Sequence, residues 1–116
     1  MNVSKFFNSF RYAFQGMARA CNQQNMKFHI VSACIVIVAA FLTKVSVVEW
    51  AILLIVIGIV LSLEMVNTAI EATVDLVSPE IHPLAKVAKD VAAGAVLVFA
   101  IFSVIIGVLI FFPKWF

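Results

Sequence analysis

The chain has 116 residues, 65% of them hydrophobic and 12% charged, with a formal net charge of +2 and a mean hydropathy of +1.15. Soluble domains carry about 25% charged residues, so this composition excludes an ordinary soluble domain and describes an integral membrane protein. The few basic residues are scattered and do not form the concentrated patch that nucleic-acid binding needs, which sets nucleic acid aside as a partner.

In chain order, the first 27 residues are too polar to span a bilayer and lack the short apolar core and cleavage site of a signal peptide. Val3, Phe6, Phe7, Phe10, Phe14 and Met17 recur at helical spacing, with Lys5, Arg11 and Arg19 between them. That pattern predicts an amphipathic helix lying in the membrane interface, either as an anchor alone or with a part in substrate or nucleotide contact.

Three apolar segments then reach the roughly 20 residues that a membrane-crossing helix requires. The first, 28–48, is interrupted by Lys44. The second helix, 50–75, is purely apolar from Trp50 to Leu63 and then becomes polar. The third helix, 86–112, contains an uncharged run from Val91 to Phe112. Cys21 and Cys34 form neither a C-x-x-C motif nor a cluster with histidine, so they signal packing rather than a metal or redox site. The expected fold is therefore an all-α membrane domain of three transmembrane helices behind an N-terminal surface helix.

Basic residues orient it. Lys5, Arg11, Arg19 and Lys27 precede the first span, and Lys86 and Lys89 lie between the second and third, against Lys44 and Lys114 on the other side. The N-terminus and the second loop are expected to be cytoplasmic.

The segment Glu64–Asp75 continues directly from an apolar run yet carries three carboxylates and an amide. Each charge in a membrane helix costs about 2.5–3.5 kcal/mol on insertion scales, so a group of them calls for a function. Helical spacing puts Glu64, Asn67, Glu71 and Asp75 on one stripe about three turns long, with Met65, Ile70 and Val74 away from it. A lone carboxylate at a helix end is usually solvated or salt-bridged; four polar groups in one row running into an apolar span are not explained that way. Such a row suits Mg²⁺, which takes one or two carboxylates and fills its other positions with water and phosphate oxygens. A further carboxylate can accept the proton of an attacking hydroxyl.

The loop from Ser78 to Leu84 is turn-like, and Pro83 suits the first turn of the next helix, where a missing N–H costs nothing. Lys89 could hold phosphate and Asp90 could orient it or approach a cation, whereas Lys86 reads as a marker of the interface. Ala85, Ala88, Ala92 and Ala95, with Ala93 and Gly94 adjacent, predict a closely packed helix. Neither a G-x-x-x-x-G-K-[ST] loop nor a G-x-G-x-x-G motif is present, so no soluble-type nucleotide fold is encoded.

Glu64-x-x-Asn67-Thr68-Ala69-Ile70-Glu71-x-x-x-Asp75, followed by His82-Pro83-Leu84-Ala85-Lys86 and Ala88-Lys89-Asp90-Val91-Ala92-Ala93-Gly94-Ala95-Val96, closely resembles the small bacterial integral-membrane lipid kinases, the prokaryotic diacylglycerol kinase and undecaprenol kinase family. The resemblance covers nearly the whole chain. It implies a homotrimer in the bacterial inner membrane, with composite active sites between protomers at the cytoplasmic face, that transfers the γ-phosphate of Mg-ATP to a lipid hydroxyl. By position it makes Glu64 the catalytic base, Asn67 a nucleotide and site-organising residue, and Glu71 a metal-binding carboxylate that also contacts nucleotide. Lys89 and Asp90 become nucleotide-holding residues. Tyr12 resembles the family's nucleotide-contacting tyrosine, an assignment that rests on resemblance alone.

One departure stands out. Where the family has a second metal-binding glutamate before the first span, this chain has Gln23, or Gln24 in an alignment anchored on Tyr12. An amide oxygen binds a cation more weakly than a carboxylate, which points to reduced metal affinity or turnover, or to an inactive member, with Asn25 and His29 as partial substitutes. The Val74–Val77 and His82–Lys86 wording is closer to the undecaprenol branch than to the diacylglycerol branch, so undecaprenol is the preferred acceptor and diacylglycerol the alternative. The competing class is a non-catalytic membrane protein, such as an assembly subunit or a proton- or cation-handling bundle. A relay would spread acidic groups through the bilayer, and the first and third spans contain none.

Overall fold

The computed structural model describes residues 1–116 as four helices: α1 (Val3–Ala20), α2 (Gln24–Thr43), α3 (Val47–Val77) and α4 (Pro83–Trp115). Helix α1 opens on Asn2, whose Oδ1 accepts the Lys5 N–H at 3.1 Å and so satisfies one of the unpaired donors of the first turn. A short turn, Cys21–Gln23, separates it from α2.

Helix α2 begins at Gln24, before the apolar stretch, and ends at Thr43, five residues short of Val48. Two local signals stop it. Lys44 takes the left-handed conformation, φ 58° and ψ 50°, and is the only non-glycine residue with positive φ. Ser46 then starts α3 with a capping box: its Oγ accepts the Glu49 N–H at 3.2 Å, and its own N–H donates to Glu49 Oε1 at 2.9 Å. The reciprocal pair satisfies two donors at once and fixes where the new helix begins. Hydropathy sees the apolar run, whereas the caps see the reversal inside it.

Helix α3 has 31 residues, about 46 Å at 1.5 Å per residue, well beyond the roughly 30 Å of a hydrocarbon core. The excess carries the polar stripe. Helix α4 starts at Pro83 rather than at residue 86, with His82 as N-cap, its Nδ1 accepting the Leu84 N–H at 3.1 Å.

Helices α3 and α4 form the most extensive pairing, while α2 packs on α3 and α1 touches α3. Ala92 and Val96 of α4 are buried, Ala85 and Ala88 half-buried, and Ala95 exposed, so Val96 and not Ala95 continues the packed face. A small core of Ala40, Val45, Leu53, Ile110 and Phe111 closes the Lys44 end. There Trp115 Nε1–H donates to Thr43 Oγ1 at 2.8 Å. Only 12 of 116 residues are buried, so most of the apolar surface points outward, as suits α2, α3 and α4, each long and apolar enough to cross a membrane.

Candidate active site

Burial falls along the stripe from the apolar part of α3 towards its end: Glu64 is 3% and Asn67 4% exposed, Glu71 is half-buried and Asp75 exposed. Asn67 Nδ2–H donates to Glu71 Oε1 at 3.3 Å, one turn on. The amide must face this way, because an ionised carboxylate only accepts. Asn67 Oδ1 is thereby left buried with no partner, at a cost of about 1–3 kcal/mol for an unmet acceptor. Native proteins keep few such atoms, which makes this one, beside a carboxylate in a polar row, a candidate point of ligand contact.

Glu64 looks across to α2. Its Oε2 lies 3.8 Å from His29 Nε2, with the two side chains 4% and 13% exposed. This is within ion-pair range but beyond a hydrogen bond. Thr68 and Thr73 are turned away from the stripe's chemistry, since their hydroxyls donate to the Glu64 and Ala69 carbonyls at 3.0 and 2.8 Å.

The charges at the α3–α4 junction pair differently from the expectation that Asp90 orients Lys89. Lys89 is bound by Asp75 of α3, and Asp90 is bound by Lys86, one turn earlier on its own helix. Neighbouring residues on a helix point about 100° apart, whereas residues four apart share a face, so Asp90 meets Lys86 and leaves Lys89 to cross to α3. These exposed pairs contribute little stability. Their effect is to bring the Lys89 ammonium to the end of the stripe.

The remaining predicted site residues lie on other parts of the chain. Tyr12 is in the middle of α1, 63% exposed. Gln23 is the extended N-cap of α2 with no side-chain capping bond, and Gln24 and Asn25 are exposed in the first turn. No hydrogen bond within the chain joins any of them to Glu64, Asn67 or Glu71.

A cavity of about 320 Å³ lies between α2, α3 and α4, walled mainly by apolar side chains including Val36, Val56, Val60, Leu61 and Phe111. His29 stands in its wall at the stripe end. The two hydroxyls facing it, Ser32 and Ser103, donate to the Phe28 and Phe99 carbonyls of their own helices at 2.9 and 2.7 Å. Neither hydroxyl proton is free for a ligand.

The oxygens of the stripe are of the type a hard cation takes. No three histidine, cysteine or carboxylate side chains converge within one chain. Glu71 and the unpartnered Asn67 Oδ1 nevertheless offer two oxygens one turn apart, the small protein share that Mg²⁺ accepts when water and phosphate complete its octahedron.

Comparison with known families decides the class. The family model for "Prokaryotic diacylglycerol kinase" matches residues 11–111, a stretch that includes Tyr12, Gln23, the whole stripe, Lys89 and Asp90. The chain belongs to the prokaryotic diacylglycerol kinase family. It is 51% identical over 113 residues to the undecaprenol kinase of Bacillus subtilis (strain 168), covering 97% of this chain and 92% of that protein. Against the diacylglycerol kinase of Synechocystis sp. (strain ATCC 27184 / PCC 6803 / Kazusa) it is 44% identical over 107 residues, 90% of this chain and 61% of that longer one. The diacylglycerol kinase of Helicobacter pylori (strain J99 / ATCC 700824) is 33% identical over 100 residues, 84% of this chain and 77% of its own length. As a member of this family the chain is a lipid kinase, a phosphotransferase with an alcohol group as acceptor.

The site was partly hidden from the sequence. His29, Asp75 as the partner of Lys89, and the cavity all depend on residues brought together from different helices. Asp75 carries a signal in its place on the stripe, whereas His29 stands out in the sequence only as a partial substitute for the missing metal ligand and not as the neighbour of Glu64.

Proposed function

We propose that the chain is an undecaprenol kinase that transfers the γ-phosphate of Mg-ATP to the lipid hydroxyl, giving undecaprenyl phosphate and ADP. The observation that carries this reading is the Glu64 carboxylate, buried where the apolar part of α3 meets its polar end and accepting no hydrogen bond within the chain. A base at that depth meets an alcohol whose hydrocarbon stays in the membrane. The apolar cavity that starts beside His29 supports the same acceptor, since it can take a hydrocarbon chain and neither of its serine hydroxyls is free to bond an ester carbonyl. Diacylglycerol, giving phosphatidic acid, is the second reading, favoured by the family description and by the Synechocystis relative.

In this mechanism the lipid hydroxyl oxygen attacks the γ-phosphorus in line, the bond to the β-phosphate oxygen breaks, and the hydroxyl proton passes to Glu64. Glu71 and Asn67 would hold Mg²⁺, with Gln23, or Gln24, in place of the usual acidic ligand, and the ion would supply charge neutralisation for the transferring phosphoryl group. Lys89 offsets the same developing charge, Asp75 keeps it aimed at the stripe, and Asp90 and Tyr12 contact the nucleotide.

The surroundings follow. Helix α1 lies in the interface through its phenylalanine face, and the stripe opens to the cytoplasmic side of the bacterial inner membrane, where ATP is present. A homotrimer accounts for the outward apolar surface and for Tyr12 and Gln23 standing apart from their own stripe, since a neighbouring copy can complete each site.

Purified protein in mixed micelles with labelled ATP, Mg²⁺ and either undecaprenol or diacylglycerol tests the reading. It predicts preferential label transfer to undecaprenol; transfer to diacylglycerol alone replaces the acceptor, and transfer to neither removes the function.

A further inference from the structure

Glu64 is nearly inaccessible, and no donor in the chain hydrogen-bonds its carboxylate. A glutamate has three side-chain torsions, and a base without a hydrogen-bonded partner relies on packing alone to set its carboxylate. Catalytic geometry is demanding, since a misplacement of about 1 Å can cost about 100-fold in rate. The ion pair identified for Glu64 is with His29, 35 residues away in sequence and on another helix.

We propose that His29 is a positioning residue for Glu64, holding one carboxylate oxygen so that the other is presented to the acceptor hydroxyl. The inference rests on Glu64 being the base. His29 Nε2 is 3.8 Å from Oε2, so the imidazole faces this oxygen, and a closer approach during turnover would form the hydrogen bond while Oε1 stays for the acceptor. The imidazole is itself held: it packs edge-on against Phe28, ring centroids 5.7 Å apart, and is set in the cavity wall opposite Ala100 and Ser103 of α4. Neither of those α4 side chains is titratable, and α3 presents Glu64. A group fixed between an apolar cavity and a buried carboxylate can set the carboxylate's rotamer without entering the proton inventory. The hydroxyl proton goes to Glu64.

The test compares His29→Gln, which retains an N–H donor of similar reach, with His29→Leu and His29→Met, which retain bulk and lose the donor. Rates are measured in mixed micelles with undecaprenol and varied Mg-ATP, alongside circular dichroism melts and a Glu64→Gln control. The donor-less variants are expected to lose about 10- to 100-fold in kcat with the KM for Mg-ATP essentially unchanged, and His29→Gln to recover most of that loss. Should His29→Leu fail to fold, the more adaptable His29→Met carries the comparison. Wild-type kcat in the folded donor-less variants overturns the inference, as does an equal loss in His29→Gln and His29→Met. An inactive Glu64→Gln beside a fully active His29→Met removes only the positioning role, whereas an active Glu64→Gln removes the base assignment and the positioning role together.

Discussion

Helix α3 carries carboxylates in its first turn and along its polar stripe, and the two regions hold their oxygens differently. At the start of the helix Glu49 is engaged through one oxygen: Oε1 accepts the Ser46 N–H of the capping box at 2.9 Å and lies 3.0 Å from Lys114 Nζ. Near the middle of the helix Glu64 has only a distant imidazole, and Asn67 Oδ1 has no partner. Both regions lie on one helix of a mostly apolar chain, so composition does not separate them. Hydrogen-bond satisfaction does. A satisfied carboxylate organises a turn, whereas buried polar atoms left unmet persist where a ligand completes them.

That contrast can be broken or sharpened by substitution, starting with the largest expected effect. Glu71→Ala removes the carboxylate next to the unpartnered amide oxygen and is expected to abolish Mg²⁺-dependent lipid phosphorylation while the helical circular dichroism spectrum is kept; measurable turnover at saturating Mg²⁺ would break the cation assignment. Lys89→Met removes the ammonium that Asp75 holds at the stripe and is expected to lower kcat/KM for Mg-ATP by about 10- to 100-fold, seen in initial rates at varied nucleotide. Gln23→Glu restores a carboxylate where the family usually has one and is expected to lower the Mg²⁺ concentration for half-maximal activity several-fold, read from a Mg²⁺ titration of the rate. At the engaged end, Lys114→Met is expected to lower the thermal midpoint slightly and leave kcat untouched.

The main outline was legible in the sequence because it rests on local periodicity. Hydropathy located three spans, the 3.6-residue repeat put Glu64, Asn67, Glu71 and Asp75 on one face, and Pro83 marked the opening of α4. The ends of the elements were less visible, since they depend on caps: a left-handed Lys44 and the Ser46–Glu49 box stop α2 inside an apolar run. Charge partners were least visible. Lys86 and Asp90 could be paired by spacing on one helix, but Lys89 with Asp75, Lys114 with Glu49 and His29 with Glu64 require knowing which helices are neighbours. The cavity is harder still, being a gap left by three helices at once. Family resemblance supplied roles for single residues; the packing shows which of them one protomer brings together.

If the polar stripe of α3 performs phosphoryl transfer, the first turn around Glu49 only holds the fold. Label transfer from ATP to undecaprenol, measured side by side for Glu64→Gln and Glu49→Gln in the same micelles, tests this division most directly. The account predicts that Glu64→Gln loses about 100-fold or more in kcat with its melting curve preserved, and that Glu49→Gln melts earlier but turns over at the wild-type rate. Equal activity in the two variants, or loss confined to Glu49→Gln, would contradict it.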